Sequence, residues 1–394
     1  MKLKTMPIFL AFIVMGVADA MGPMSDAVKT QYELSNVMAT MLSFFVFIAF
    51  AAFSVPAGLL AARIGMKKLL LLGLGLNAVA MLVPSLIAPG FALLLACIFV
   101  LGIGSTFLQV AGNPIIREVS AEGQFSQNLS LAQGLKGLGS TAATFLVTLI
   151  ATISLFKGMG WRGSFPVFFV FIALAFVGVL IVKVDEIKPE TPPSIASSLS
   201  LLKEPVFALA VLGIFFYVGA EVCMGRFILP RLNEIGLGDV IVQIPLLNKE
   251  LPMSVLFGPT LFFALLAIGR IVGGIMLNKV KPRPAFRVSA LMGVVGAGLL
   301  VSGNTTLVIG GVILSGLGFA NIWPLLFSIT VEERPERAGE LSGLMCMAIA
   351  GGAIVPLLMG GLIDAGLNAV AFFVPCVCFV YLLVLSLKGG KAAA

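Results

Sequence analysis

The chain contains no histidine among its 394 residues, and only two tryptophans, three tyrosines and five cysteines. Without imidazole it lacks the usual general base, the commonest metal ligand and the side chain that changes charge near neutral pH, so any proton it handles has to ride on a carboxylate. Cys97, Cys223, Cys346, Cys376 and Cys378 all fall inside apolar runs. Cys376 and Cys378 stand too close for a CxxC pair, and the set offers neither a disulfide framework nor zinc spacing. No nucleophile-base pair is legible, which argues against an enzyme, and no metal or cofactor is expected. Charge is scarce as well, at 11% of residues. The formal net charge is +7, yet Lys and Arg sit in short loops between apolar runs. That pattern encodes orientation in a membrane and does not describe a nucleic-acid surface.

What is present is hydrophobicity. With 59% hydrophobic residues and a mean hydropathy of +1.12, the chain reads as a polytopic protein of the lipid bilayer. Runs long enough to span lie near 6–26, 35–62, 67–88, 91–118, 126–155 and 163–183, and again near 204–231, 254–278, 284–303, 305–330, 339–363 and 367–387. Residues 1–20 imitate a signal peptide, with Lys2 and Lys4, an apolar core and Ala18-Asp19-Ala20, but they are expected to remain as the first span. Both termini then share one side, which the Lys and Arg bias makes cytoplasmic, in a bacterial inner membrane. The expected fold is all-α, with twelve transmembrane helices in two six-helix bundles, residues 1–184 and 204–394. Residues 185–203, with Pro189, Pro192, Pro193 and a Ser-rich tail, form the expected cytoplasmic linker. Asn233 to Met253 is the longest external loop.

The halves echo each other. Span 1 has Gly16-Val17-Ala18-Asp19-Ala20-Met21-Gly22 and span 7 has Gly219-Ala220-Glu221-Val222-Cys223-Met224-Gly225, each with one acid in a glycine-bounded window. Span 4 carries Gly102 and Gly104 and then Asn113-Pro114; span 10 carries Gly316 and Gly318 and then Asn321 and Pro324. Parallel six-span repeats with a midplane site are the signature of a secondary transporter that rocks about a central cavity.

Deep polar residues mark where that cavity lies. In span 5, Ser126, Ser130, Gln133, Lys136 and Ser140 fall on one helical stripe. At 1.5 Å per residue, Lys136 is roughly 15 Å deep, where a charge costs about 2.5 to 3.5 kcal/mol unless water, a counter-ion or a ligand meets it. In span 4, Gly102, Thr106, Gln109 and Asn113 share a face, and Pro114 frees a carbonyl four residues back. The remaining deep charges are Asp19, Glu221, Arg226 and Arg270. The bases outnumber the acids by one, and a surplus cation in a wet cavity is a place for an anionic substrate group. Glu221 and Arg226, five apart, do not face each other. Arg270 is expected to be structural, bonding helix ends or a loop. Trp323 offers a broad apolar face to a sugar ring, and Asn321 an amide beside it.

The loop Gly58-Leu59-Leu60-Ala61-Ala62-Arg63-Ile64-Gly65-Met66-Lys67-Lys68 resembles the signature loop of the major facilitator superfamily, with Ala62 in place of its usual acid. Within that superfamily the chain is most similar to the fucose-proton symporter (FHS) family of sugar transporters. The likeness rests on Leu108-Gln109-Val110-Ala111-Gly112-Asn113-Pro114, Asn128-Leu129-Ser130-Leu131-Ala132-Gln133, Tyr217-Val218-Gly219-Ala220-Glu221-Val222, Gly269-Arg270, and Ser342-Gly343-Leu344-Met345-Cys346-Met347-Ala348 with Gly351-Gly352-Ala353-Ile354-Val355-Pro356. It implies inward carriage of a monosaccharide with a proton, using an acid in span 1 and polar groups in spans 4 and 5. The chain departs from the family pattern in its span 1 acid, which comes about a turn early at Asp19. It departs again at Gln109, Lys136 and Arg226, where the family has an acid, an amide and a small residue.

The expected activity is proton-coupled import of a monosaccharide or acidic sugar, by a monomer using alternating access. The partners are the sugar and a proton, with sodium left open. Asp19 is the expected proton carrier and Glu221 the second candidate. Gln109, Asn113, Gln133, Lys136, Arg226, Asn321 and Trp323 are the expected substrate contacts. The competing readings are a sugar uniporter, a drug/proton antiporter of the same superfamily, and a non-transporting membrane sensor. Deep bases outnumbering deep acids speak against cationic drugs.

Overall fold

Each apolar run becomes a helix, because in hydrocarbon a helix satisfies its own backbone and an open strand does not. The structure, a computed structural model, describes residues 6–34, 36–150, 153, 156, 158–184, 193–244 and 249–388. The first span is α1 (Met6–Met15), a 3-10 segment Gly16–Ala20, and α2 (Met21–Tyr32). After it come α3 (Asn36–Ile64), α4 (Met66–Leu86), α5 (Phe91–Val119), α6 (Phe125–Ile150) and α7 (Ser164–Ile181). A short helix α8 (Ile195–Ser200) precedes α9 (Pro205–Glu234). The eighth span joins α10 (Met253–Val255), a π-helical turn Leu256–Thr260 and α11 (Leu261–Met276); then come α12 (Pro282–Leu299) and α13 (Thr305–Glu333). The eleventh span is α14 (Ala338–Met347), a 3-10 turn Ala348–Ala350 and α15 (Gly351–Asp364), and the last is α16 (Phe373–Leu387). Among the described residues, nine helices are by themselves long and apolar enough to cross a membrane. The protein is an integral, multi-pass membrane protein.

Two segments read as plain connections turn out to be structured. The loop after α9 contains an antiparallel hairpin, β1 (Ile241–Ile244) with β2 (Lys249–Pro252), in which Ile241 lies opposite Pro252. In the linker, residues 185–192 lie outside the described residues, and the Ser-rich tail is α8. Ser194 caps α8 by accepting the Ser197 N–H at 3.1 Å, the local bond that favours Ser at a helix start.

The helices form two compact units. The first comprises Met1–Glu204 and Arg334–Met347; the second comprises Pro205–Glu333 and Ala348–Ala394. Within the first, α14 packs on α3 and α5. Glycines make that packing close: a Cβ on Gly58 would strike the Gly339 carbonyl, and one on Gly343 would lie 2.8 Å from the Ser54 carbonyl. Small residues drive such approaches in membranes because van der Waals packing must do what hydrophobicity cannot. A polar cluster holds α8 in this unit. Arg337 Nε and Nη2 donate to the two Glu340 oxygens at 2.7 Å each. Glu340 also accepts from Ser197 and Ser198 at 3.2 and 2.9 Å. Arg334 reaches Glu204 at 2.9 Å. In the second unit α9 packs on α15 and α16, and α12 on α13 and α16. Its core is aromatic, with Phe319 in edge contact with Phe379 at 4.4 Å and Phe262 at 5.4 Å between ring centres.

Candidate functional site

In the first unit the site is built on a glycine crossing. A Cβ on Gly139 would run into the Ile13 carbonyl, and one on Gly16 into the Gly139–Ser140 peptide, so α1 and α6 touch backbone to backbone. From Gly16 to Ala20 the chain is wound as a 3-10 turn, a tightening that recurs at functional hinges, and it carries Asp19. Asp19 Oδ2 accepts the Ser140 hydroxyl at 2.6 Å and lies 3.9 Å from Lys136 Nζ. The Asp19 side chain is 51% exposed and that of Lys136 19%. The depth of Lys136 is thus compensated by a counter-ion.

One turn back along α6 from Lys136, the site becomes a ladder of buried amides. Gln133 Nε2 donates to Asn113 Oδ1 at 2.8 Å, and Asn113 Nδ2 to Gln109 Oε1 at 3.5 Å. Gln109, Asn113 and Gln133 are 5%, 0% and 2% exposed. Pro114 lacks the N–H that would bond the Val110 carbonyl. Ser342 Oγ donates to that carbonyl instead, at 2.8 Å. The freed acceptor expected from the sequence exists and is taken by a side chain of α14.

The second unit repeats the crossing and alters the charge. A Cβ on Gly351 would strike the Phe215 carbonyl, and one on Gly219 would lie 2.5 Å from Val355 Cβ, so α9 and α15 meet as α1 and α6 do. The residue three before the packing glycine is Lys136 in α6 but Ala348 before α15. The cation here comes from α11. Arg270 Nη2 lies 3.7 Å from Glu221 Oε1 and donates to the Tyr217 hydroxyl at 3.0 Å. Its Nε donates to the Ala320 carbonyl at 3.1 Å. Ala320 is four residues before Pro324, so its carbonyl is orphaned for the same reason as that of Val110. Where the sequence reading had Arg270 bonding helix ends or a loop, its Nε bonds a carbonyl in the middle of α13. It fills a proline-made gap in mid-helix and reaches from there to Glu221. Trp323 is buried, 6.3 Å from the Tyr217 ring centre, and its Nε1 has no hydrogen-bond partner among the described residues.

The expected contacts divide. Asp19 and Lys136 come together, as do Gln109, Asn113 and Gln133, and Trp323 stands beside Tyr217. Asn321 is instead wedged between helices, its Nδ2 donating to the Gly269 carbonyl at 2.9 Å beside Gly273. Arg226 is exposed, with its guanidinium 5.6 Å from the Phe227 ring centre, and joins neither Glu221 nor Arg270. Tyr217 and Arg270 were missed as site residues. Tyr217 precedes Glu221 by four positions, one helical turn, which was the available signal.

Comparison with known proteins places this geometry in context. The family model described as Major Facilitator Superfamily matches residues 8–355. The chain is 28% identical over 376 residues to a glucose/galactose transporter of Brucella abortus, covering 92% of this chain and 88% of that one. It is 24% identical over 423 residues to the L-fucose-proton symporter of Haemophilus influenzae, covering 96% and 95%. Its fold matches the crystal structure of the E. coli fucose:proton symporter FucP with a TM-score of 0.79 at 19% identity, over 97% of this chain and 98% of that one.

Proposed function

The chain belongs to the Major Facilitator Superfamily, and from that premise we propose that it imports a neutral monosaccharide with a proton by alternating access. The observation that carries this reading is the Asp19–Lys136 pair at 3.9 Å, set one helical turn from the buried amides. Asp19 carries the proton. By sequence it is the deep carboxylate of the first half, its side chain is half exposed, and its charge is matched by an ammonium that has to find a new partner whenever the carboxylate is neutralised. Gln109, Asn113 and Gln133 bond sugar hydroxyls, for which amides supply both donors and acceptors.

The neutral substrate follows from the same pair. A cation already matched by Asp19 is not waiting for an anionic sugar, so Lys136 serves coupling, and the acidic-sugar alternative loses its main support. The names of the relatives, glucose/galactose transporter and L-fucose-proton symporter, point to the same substrate class. The protein acts as a monomer in a bacterial cytoplasmic membrane, with both termini and the 185–203 linker cytoplasmic. The test is uptake into proteoliposomes of D-glucose, D-galactose and L-fucose, driven by an inward proton gradient and, separately, an inward sodium gradient. Accumulation under the proton gradient alone is expected. Accumulation that follows sodium, or equilibration with neither, overturns the proton assignment; uptake confined to uronic or sialic acids overturns the neutral-sugar assignment.

A further inference from the structure

In the second unit, Glu221 is a span carboxylate that the proposed symport through Asp19 does not use. Its carboxylate lies 3.7 Å from the Arg270 guanidinium and is hydrogen-bonded with the Tyr217 hydroxyl. Its side chain is 23% exposed. A carboxylate has roughly four acceptor sites, so Glu221, held by Arg270 and Tyr217, keeps acceptor positions to offer a ligand. Asp19 differs in its cation, which is a lysine at 3.9 Å and not a buried guanidinium.

Arg270 explains why Glu221 is suited to recognition and not to shuttling. The guanidinium is a permanent cation. It is buried, and its position is set by bonds to the Ala320 carbonyl, away from Glu221, and to the Tyr217 hydroxyl. Glu221 is its counter-charge. If Glu221 were neutralised in every cycle, a cation that cannot leave would be stranded each time. The Glu221–Arg270 pair is neutral as a whole, so it attracts no ion, yet it presents a strong acceptor.

A complementary donor borders the same tyrosine. Trp323 shares a ring contact with Tyr217, is 4% exposed, and its Nε1–H has no partner among the described residues. A buried donor without a partner is destabilising unless something arrives to satisfy it. An acceptor-only group and a donor-only group that both neighbour one tyrosine match sugar hydroxyls, which both donate and accept.

We propose that Glu221 and Trp323 form a hydroxyl-reading subsite for the sugar, in which Glu221 accepts from hydroxyls and Trp323 Nε1 donates to one, with Arg270 as the positioning residue that holds Glu221. This rests on the transport reading above. The experiment is counterflow in proteoliposomes with D-galactose and its singly deoxygenated analogues, together with protons moved per sugar, in the full-length protein. Glu221→Gln is expected to raise the KM of exchange by about ten- to a hundredfold, the effect of losing a charge-assisted bond. It is also expected to flatten the difference between galactose and the one deoxy analogue that lacks the contacted hydroxyl, while the proton-to-sugar ratio stays at its wild-type value. Trp323→Phe, which keeps the apolar face, should raise KM several-fold with the same ratio. Arg270→Lys should recover part of the activity lost in Arg270→Gln. A Glu221→Gln protein that exchanges galactose at the wild-type KM but moves no protons overturns the proposal and makes Glu221 a coupling residue. Unchanged discrimination among the deoxy sugars in both Glu221→Gln and Trp323→Phe overturns it too. Wild-type protein that exchanges no neutral monosaccharide removes the transport reading instead, a different failure visible before any variant is made.

Discussion

Lys136 Nζ lies 3.9 Å from Asp19 Oδ2 across the crossing of α6 and the first span, where Gly16 and Gly139 bring the two backbones into contact. The deepest cation of the first half is therefore paired within its own unit.

Substitution of Asp19 by Asn separates coupling from binding. The variant keeps a hydrogen-bonding side chain for Ser140 but can neither release nor take up a proton. Uphill accumulation driven by a proton gradient should vanish, while exchange of labelled for unlabelled sugar persists. Proton-driven accumulation at the wild-type level in Asp19→Asn would remove Asp19 from the mechanism.

Lys136→Gln tests what the ammonium is for. If it serves Asp19, the variant loses proton coupling yet binds neutral hexoses within about tenfold of wild type, a difference of ~1.4 kcal/mol. The order of preference among sugars should be unchanged in a thermal-shift series. A selective loss of uronic or sialic acid binding would give Lys136 back to the substrate.

The glycine crossing should be intolerant of a methyl group. Gly139→Ala would drive a Cβ into the Ile13 carbonyl, and overpacking of this kind costs about 1 to 3 kcal/mol. Gly361→Ala is the control, because a Cβ there meets nothing within 4 Å. Melting in detergent should be clearly lowered for the first and unchanged for the second. Equal melting temperatures would show that α1 and α6 do not pack as described.

Orientation can be read from α8. Ala196 is exposed on this helix, whereas Ser197 is engaged by Arg337 and Glu340. A single cysteine at Ala196, in a background without the native cysteines, should react with an impermeant maleimide only in inverted vesicles. Labelling of right-side-out cells would reverse the whole topology.

Much of the fold was legible because the bilayer enforces a simple rule, that an apolar run of about twenty residues must be a helix. The span positions, the internal repeat and the freed carbonyl before Pro114 all follow from local sequence. The hairpin at Ile241–Ile244 and Lys249–Pro252 did not follow, since short polar strands in a loop leave no periodicity strong enough to read. Nor did the break of the eleventh span at Ala348–Ala350, with Ala338–Met347 in the first compact unit and Gly351–Asp364 in the second. Hydropathy is continuous across that break, so only packing reveals it.

By itself the sequence determined which residues are deep, which are polar and which acids exist to carry a proton, because depth and helical face depend on position along one chain. Which charge meets which was decided by tertiary structure. Arg226 is five residues from Glu221 and turns away to lie over Phe227, while Arg270, in another span, reaches Glu221 from a carbonyl that Pro324 leaves free. Lys136 reads from sequence as a cation open to an anion, and the 3-10 segment Gly16–Ala20 brings Asp19 to it. Partners on different helices are set by where backbones can approach, and here that is set by Gly16 against Gly139 and Gly219 against Val355.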